Sequence, residues 1–175
     1  REHPDINFEI TSGDTQDLMD ELEHGLMDFA VIFTEVDHNL YQSVPLPQSD
    51  RFGILMPKDH TLATKNEIHL KDLKGFPIIL SRAHASVISS MKDFDGLHAI
   101  AIYNLIYNAS LLVEDGLGIA VTFEGLINTT GDSPLVFKPL IPEIKAKGNL
   151  IWTKYQIHSP AAQLFIEKIK RGEEI

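Results

Sequence analysis

The sequence predicts an α/β fold, and three observations carry the prediction. Short apolar or alternating segments recur between segments with helical spacing. Gly, Asn, Asp and Pro stand at the junctions where helices end and strands begin. No internal repeat, low-complexity tract or flexible linker interrupts the 175 residues, of which 43% are hydrophobic. Such a chain builds one globular domain or two small lobes, on a parallel doubly wound sheet or on two such sheets.

The elements follow in order. Ile6–Thr11 (INFEIT) alternates apolar and polar residues and reads as a strand. Ser12–Asp14 is a turn. Asp14 or Thr15 caps the next helix, whose inner stripe is Leu18, Met19, Leu22 and Leu26, with Gly25 near its end. Asp28–Phe33 (DFAVIF) is a continuous apolar run and reads as a strand buried on both faces. Strand, helix and strand then make a parallel pair with a right-handed crossover.

LYQSVPLPQ reads as an irregular, Pro-containing stretch near a sheet edge. Arg51–Pro57 is an apolar strand stopped by its proline. A polar connection follows, with a short helix at Leu70–Leu73, and then a buried strand at Phe76–Ser81. Residues 82–95 are ambiguous: Val87, Ile88 and Met91 have helical spacing, but the stretch is short. His98–Tyr103 is a strand.

Asn108 can cap the following helix through its side-chain oxygen, with Leu111, Leu112 and Val113 as the apolar face. Gly116 fits the residue just past a helix end, where φ is often positive. Leu117–Val121 then reads as a short buried strand, so Gly-Leu-Gly makes a tight helix-to-strand turn. LVFKPL and NLIWTKY are two more strands. A last helix starts at Pro160, with Leu164, Phe165 and Ile169 inward.

Composition excludes several functions. A net charge of −10, from 15 basic and 25 acidic residues, disfavours contact with phosphate backbones. Lys168, Lys170 and Arg171 lie beside Glu173 and Glu174 and read as a solvated helix end. With no cysteine, disulfides, thiolate metal sites and cysteine nucleophiles are ruled out. No apolar run reaches the ~18 residues that would span a bilayer. No signal peptide is visible, so the cytoplasm is the expected compartment. The chain begins at Arg1 rather than Met and reads as a fragment.

Chemical motifs are equally sparse. Gly116-Leu-Gly118 follows a helix and precedes a strand, the reverse of the dinucleotide-binding order. The eight histidines are scattered, and His60 in PKDHTLA reads as a turn histidine. Asp14, Asp17, Asp20 and Glu21 read as one solvated helix face. What remains is softer. Ligands of open α/β sheets bind beyond the carboxyl ends of strands. Three strand ends carry hydroxyl, amide or guanidinium groups: Ser12–Thr15, Ser81 with Arg82, and Tyr107–Asn108. Thr15, Ser81 and Asn108 either cap their own helices or line a binding cleft without reaction machinery.

Four segments in order resemble the effector-binding domain of LysR-type transcriptional regulators. REHPDINFEITSGDTQDLMDELEHGLMDFAVI is similar to that family's opening pattern. ILMPKDHTLA is similar to its Pro-Lys-Asp-His segment, with Thr61 where Pro is usual. LKDLKGFPIIL resembles the entry to its second lobe. LLVEDGLGIAV resembles its Gly-Leu-Gly signature, with Phe123 near where Pro often follows.

The resemblance implies two α/β lobes of the periplasmic-binding-protein type (type II-like), joined by two crossover segments, RFGILM and NLIWTK. Lobe I would comprise residues 1–52 and 151–175, lacking its first strand and helix; lobe II would comprise 53–150. The ligand-binding residues implied are Ser12, Gly13, Thr15, Thr34, Ser81, Arg82, Asn108 and Phe123, the last in an apolar wall. The implied function is a ligand-sensing regulatory domain, not an enzyme, with no cofactor or metal. Its partners would be a small metabolite, with Arg82 and the helix N-termini hinting at an anion, and a second copy in a homodimer or tetramer. DNA would be met only through a separate winged helix-turn-helix domain, and no membrane is implied. A solute-binding protein of a transport system and a small-molecule enzyme share the fold and are the alternatives.

Overall fold

The computed structural model describes residues 3–83 and 97–172. In chain order the elements are α1 (Thr15–Glu23), β1 (Ala30–Ile32), β2 (Tyr41–Pro57), β3 (Ile68–His69), β4 (Pro77–Ser81), β5 (His98–Tyr103), α2 (Ile106–Glu114), β6 (Ile119–Phe123), β7 (Leu135–Ile141), β8 (Lys145–Thr153) and α3 (Pro160–Arg171). Single 3-10 turns lie at Thr61–Thr64 and Leu70–Leu73. The chain divides into two compact units: Arg1–Gln48 with Lys147–Ile175, and Ser49–Ala146. It passes from one to the other inside β2 and inside β8. No helix among the described residues is long and apolar enough to cross a membrane.

In the first unit β1 pairs antiparallel with β8, Ala30 opposite Ile151 and Ile32 opposite Asn149. Side chains alternate across this sheet, and each face takes one helix. Ala30, Ile32, Tyr41 and Ile151 pack with Leu18, Met19 and Leu22 of α1. Leu150 and Trp152 point the other way, to Ile166, Phe165 and Ile169 of α3. Phe29 joins that second layer, its ring 5.0 Å from that of Phe165. Lys170 closes the layer over the face of Trp152, at 5.4 Å. Tyr41 is buried, and its hydroxyl donates to the Glu23 carboxylate at 2.5 Å. Burial first, and that carboxylate second, push the phenol up to about 12.

The second unit is a sheet in the order β7–β2–β6–β4–β5. β4 runs parallel to both β5 and β6, and β2 runs antiparallel to both β6 and β7. Successive residues face opposite cores. Ile54, Met56, Ile78, Leu80, Ile119 and Val121 belong to one, with Leu62, Ile68 and Leu73 of the 3-10 turns and β3. Leu55, Ile79 and Ala120 belong to the other, with Ala109 and Val113 of α2. The continuous apolar runs of β4 and β6 therefore mark strands buried on both faces, as their composition predicts.

Several expectations are overturned. Ile6–Thr11 is not a strand: no neighbour among the described residues supplies a ladder, and Ile10 is 89% exposed. The first parallel pair is therefore absent, and the partner of β1 is the antiparallel β8. Asp28–Phe33 contributes only Ala30–Ile32, with Val31 turned to solvent. Leu26 lies beyond the end of α1 and is 76% exposed. LYQSVPLPQ is not irregular; it forms part of the 17-residue β2, which tolerates Pro45 and Pro47 because both are exposed. The helix before Gly-Leu-Gly buries Ala109, Ser110 and Val113, and leaves Leu111 and Leu112 outward. The sheets are mixed, not wholly parallel. Of residues 82–95, only Arg82 and Ala83 are described, and both are helical; Val87, Ile88 and Met91 lie outside the described residues.

Candidate functional site

The candidate residues of the first unit gather at one end of its α1–β1 hairpin. Asp14 is the N-cap: its carboxylate accepts from the Asp17 amide at 3.1 Å. That settles the capping choice against Thr15, which is the first helical residue and half-buried. Ser12 is exposed and Gly13 half-buried on the approach to the helix. Gly13 is crowded, for a Cβ there would meet Asp17 Cβ at 3.4 Å and Leu18 at 3.6 Å. Thr34 lies two residues past β1 and is half-buried. β1 follows α1 back through a short turn and packs on it, so the start of α1 and the end of β1 share one end of the unit.

In the second unit the parallel strands β4, β5 and β6 end side by side. Ser81 is opposite Tyr103 in the β4–β5 register. The β4–β6 register pairs Ile79 with Ala120, and continuing it sets Ser81 level with Thr122. Three hydroxyl side chains thus stand in a row across the carboxyl edge of the sheet. The Tyr103 hydroxyl donates to the Val121 carbonyl at 3.0 Å, and burial raises its pKa above the ordinary 10.0. It is a neutral donor at any physiological pH. Thr122 is 4% exposed; its Oγ1 lies beside the Tyr103 hydroxyl but meets no partner of full hydrogen-bond geometry among the described residues. Phe123, one residue on, faces the opposite core, with its ring 4.4 Å from that of Phe52. Arg82 is exposed and starts the helical turn after Ser81.

Asn108 departs from expectation. α2 begins at Ile106 behind Leu105, which supplies no side-chain cap. Asn108 is the third helical residue and exposed, and its amide bonds to the Leu105 carbonyl at 3.1 Å. The helix starts where Ile106, Ala109 and Val113 can face the core, spacing that outweighs the capping preference of the Asn side chain. The first amides of α2 therefore carry no side-chain cap and leave a positive helix end beside the strand termini.

Tyr103 and Thr122 were not among the expected site residues. Their signal was available: each is a hydroxyl-bearing residue at or next to the end of an apolar run, HAIAIY and IAVTF. His60, in contrast, has a purely local task. Its Nδ1 accepts from the Leu62 amide at 3.2 Å, capping the Thr61–Thr64 turn, and its ring packs 4.9 Å from Phe76. Burial lowers its pKa below the ordinary 6.5. Among the described residues no His, Asp and Glu group is arranged to hold a metal ion. Among the described residues the arrangement offers hydrogen bonds and helix starts, and sets no nucleophile beside a base.

Comparison with known proteins accords with this fold. The sequence matches the family profile "LysR substrate binding domain" over residues 1–173. It is 25% identical over 176 residues to the uncharacterized HTH-type transcriptional regulator YvbU of Bacillus subtilis, covering 97% of this chain and 59% of that protein. It is 25% identical over 179 residues to the probable RuBisCO transcriptional regulator of Cyanophora paradoxa, covering 95% and 55%. The chain thus spans less than two thirds of the length of these relatives. Among solved structures, the effector binding domain of QuiR in complex with shikimate superposes with a TM-score of 0.84 at 18% identity, covering 98% of this chain and 84% of that one. The regulatory domain of Synechocystis PCC6803 CcmR in complex with 2-PG gives 0.81 at 14% identity, covering 99% and 86%. The fold is therefore that of these effector-binding domains.

Proposed function

The chain belongs to the LysR substrate-binding domain family, and from that premise we propose that it is the ligand-sensing part of a transcription regulator. Its two units are the two lobes, and each carries groups suited to recognising an effector. Ser81, Tyr103 and Thr122 serve from the second unit; Ser12, Gly13, Thr15 and Thr34 serve from the first. The observation that carries this reading is the hydroxyl row at the carboxyl edge of β4, β5 and β6. That edge is where open α/β sheets hold ligands, and no catalytic constellation accompanies it among the described residues.

The uncapped start of α2 and the Arg82 guanidinium favour an effector with a carboxylate or phosphate. QuiR and CcmR, named with shikimate and 2-PG, make such chemistry a reasonable first choice of probe. The effector acts by population shift: it biases the regulator only as far as its affinity for two arrangements differs, and a ten-fold difference is about 1.4 kcal/mol. Homo-oligomer formation, DNA contact through a separate domain and a cytoplasmic setting belong to the same proposal.

Titration calorimetry with a panel of small carboxylates and phosphates, shikimate and 2-PG included, tests it. Binding by one of them, weakened when Thr15→Val or Ser81→Ala is introduced, is the expected result. A solute-binding protein of a transport system would bind as well, but would function without any DNA-binding domain; an enzyme would turn its ligand over.

A further inference from the structure

Both strands by which the chain enters and leaves the second unit are tied to one side chain there. Arg51 stands three residues past the boundary in β2. Its Nε lies 2.8 Å and its Nη2 2.6 Å from Glu124 Oε2, just beyond β6. Its Nη1 lies 3.6 Å from Glu143 Oε1, just before β8, and Lys145 Nζ reaches the other Glu143 oxygen at 2.9 Å. Backbone bonds run along the same line. The Phe52 amide donates to the Ile144 carbonyl at 2.9 Å, and the Glu124 amide to the Arg51 carbonyl at 3.0 Å. The Phe52 and Phe123 rings, opposite in register, pack beneath.

Across the boundary the strands are differently built. Pro45 and Pro47 remove two amide donors from β2, and Pro47, Gln48 and Ser49 are exposed in succession. β8 continues there through Gly148. One side is thus laced by charge-assisted bonds as well as backbone bonds; on the other, β2 and β8 remain neighbours in the ladder, to which Pro45 and Pro47 donate nothing.

We propose that Arg51 is a positioning residue: it clamps the end of β6 to both connecting strands, so that bending of those strands is confined to residues 45–49 and 147–148. A planar fork suits the task, since one guanidinium reaches two carboxylates on different segments, which a lysine ammonium cannot do with the same geometry. The clamp needs no ligand, so its test stands apart from that of effector binding.

The chain has no cysteine, so introduced pairs label it uniquely. Hydrogen exchange is followed in the wild type, Arg51→Met and Arg51→Lys, with spin-label distances between Asp28→Cys and Lys74→Cys, both exposed positions. In Arg51→Met, amides of residues 50–53, 122–125 and 143–146 are expected to exchange severalfold faster. Those of β1 stay unchanged, and the distance distribution broadens. Salt at 1 M should do the same to the wild type and add little to Arg51→Met. Arg51→Lys falls between the two, and is the variant to read should Arg51→Met lose protection everywhere. Wild-type exchange and an unchanged distance width in both variants would overturn the clamp, and would make these exposed ion pairs of no measurable consequence.

Discussion

A Cβ placed on Gly118 would stand 2.6 Å from the carbonyl oxygen of Pro77. β6 and β4 are parallel neighbours there, and the glycine lets their backbones close. Gly116, two residues earlier, is needed for another reason. Its φ is +77°, and nothing surrounds the space a side chain would fill. Gly118→Ala should therefore cost about 1–3 kcal/mol by overpacking against backbone that cannot yield. Gly116→Ala should cost about 1 kcal/mol through its dihedral alone. Urea melts separate them: Gly118→Ala is the more damaging of the two, and the reverse order would contradict the close approach.

Thr122 presents the opposite case. Its buried Oγ1 has no partner of full hydrogen-bond geometry among the described residues, although the Tyr103 hydroxyl lies beside it, so removing it gives up little. Thr122→Val should leave the melting temperature unchanged or raise it, while weakening effector binding. A loss of more than about 1 kcal/mol in stability would mean that the hydroxyl is bonded in the folded chain.

The helix starts divide cleanly. Asp14→Ala removes a cap that bonds the Asp17 amide and should cost about 1 kcal/mol. Asn108→Ala alters an exposed third residue and should stay within about 0.5 kcal/mol. Equal losses in chemical denaturation would return Asn108 to the cap.

His60 gives a pH dependence whose sign is fixed. Its folded pKa lies below the ordinary 6.5, so the unfolded chain binds the proton more readily. Its contribution is whole above 6.5 and is lost as pH falls through that value and on through the lowered folded one. Protonation also removes the acceptor that caps the Thr61–Thr64 turn. Denaturation of His60→Phe between pH 5 and 8 should show a smaller fall in stability toward acid than the wild type. Identical slopes would assign the acid sensitivity elsewhere.

Much of the fold was legible where burial leaves one solution. β5 was read residue for residue as His98–Tyr103, and the apolar runs in β4 and β6 announced strands covered on both faces. Legibility failed where a neighbour decides. Ile6–Thr11 alternates like a strand, yet finds no ladder among the described residues; β2 continues through Pro45 and Pro47, since both prolines face outward. Asn108 has the chemistry of a cap, but packing of Ala109 and Val113 moves the helix start to Ile106. Tyr103 and Thr122 were hidden for a related reason. A hydroxyl within an apolar run reads as core until the register shows which residues end the strands together.

The most direct test of the central claim is a single titration series. The wild type, Thr15→Val and Ser81→Ala are each titrated with the tightest-binding member of the carboxylate and phosphate panel, and the ligand is recovered afterwards for mass spectrometry. The account predicts saturable binding, a loss of affinity of about five-fold for each variant, as one hydrogen bond of ~1 kcal/mol implies, and a ligand returned unaltered. Affinity indifferent to both substitutions, or a ligand chemically changed, would contradict it.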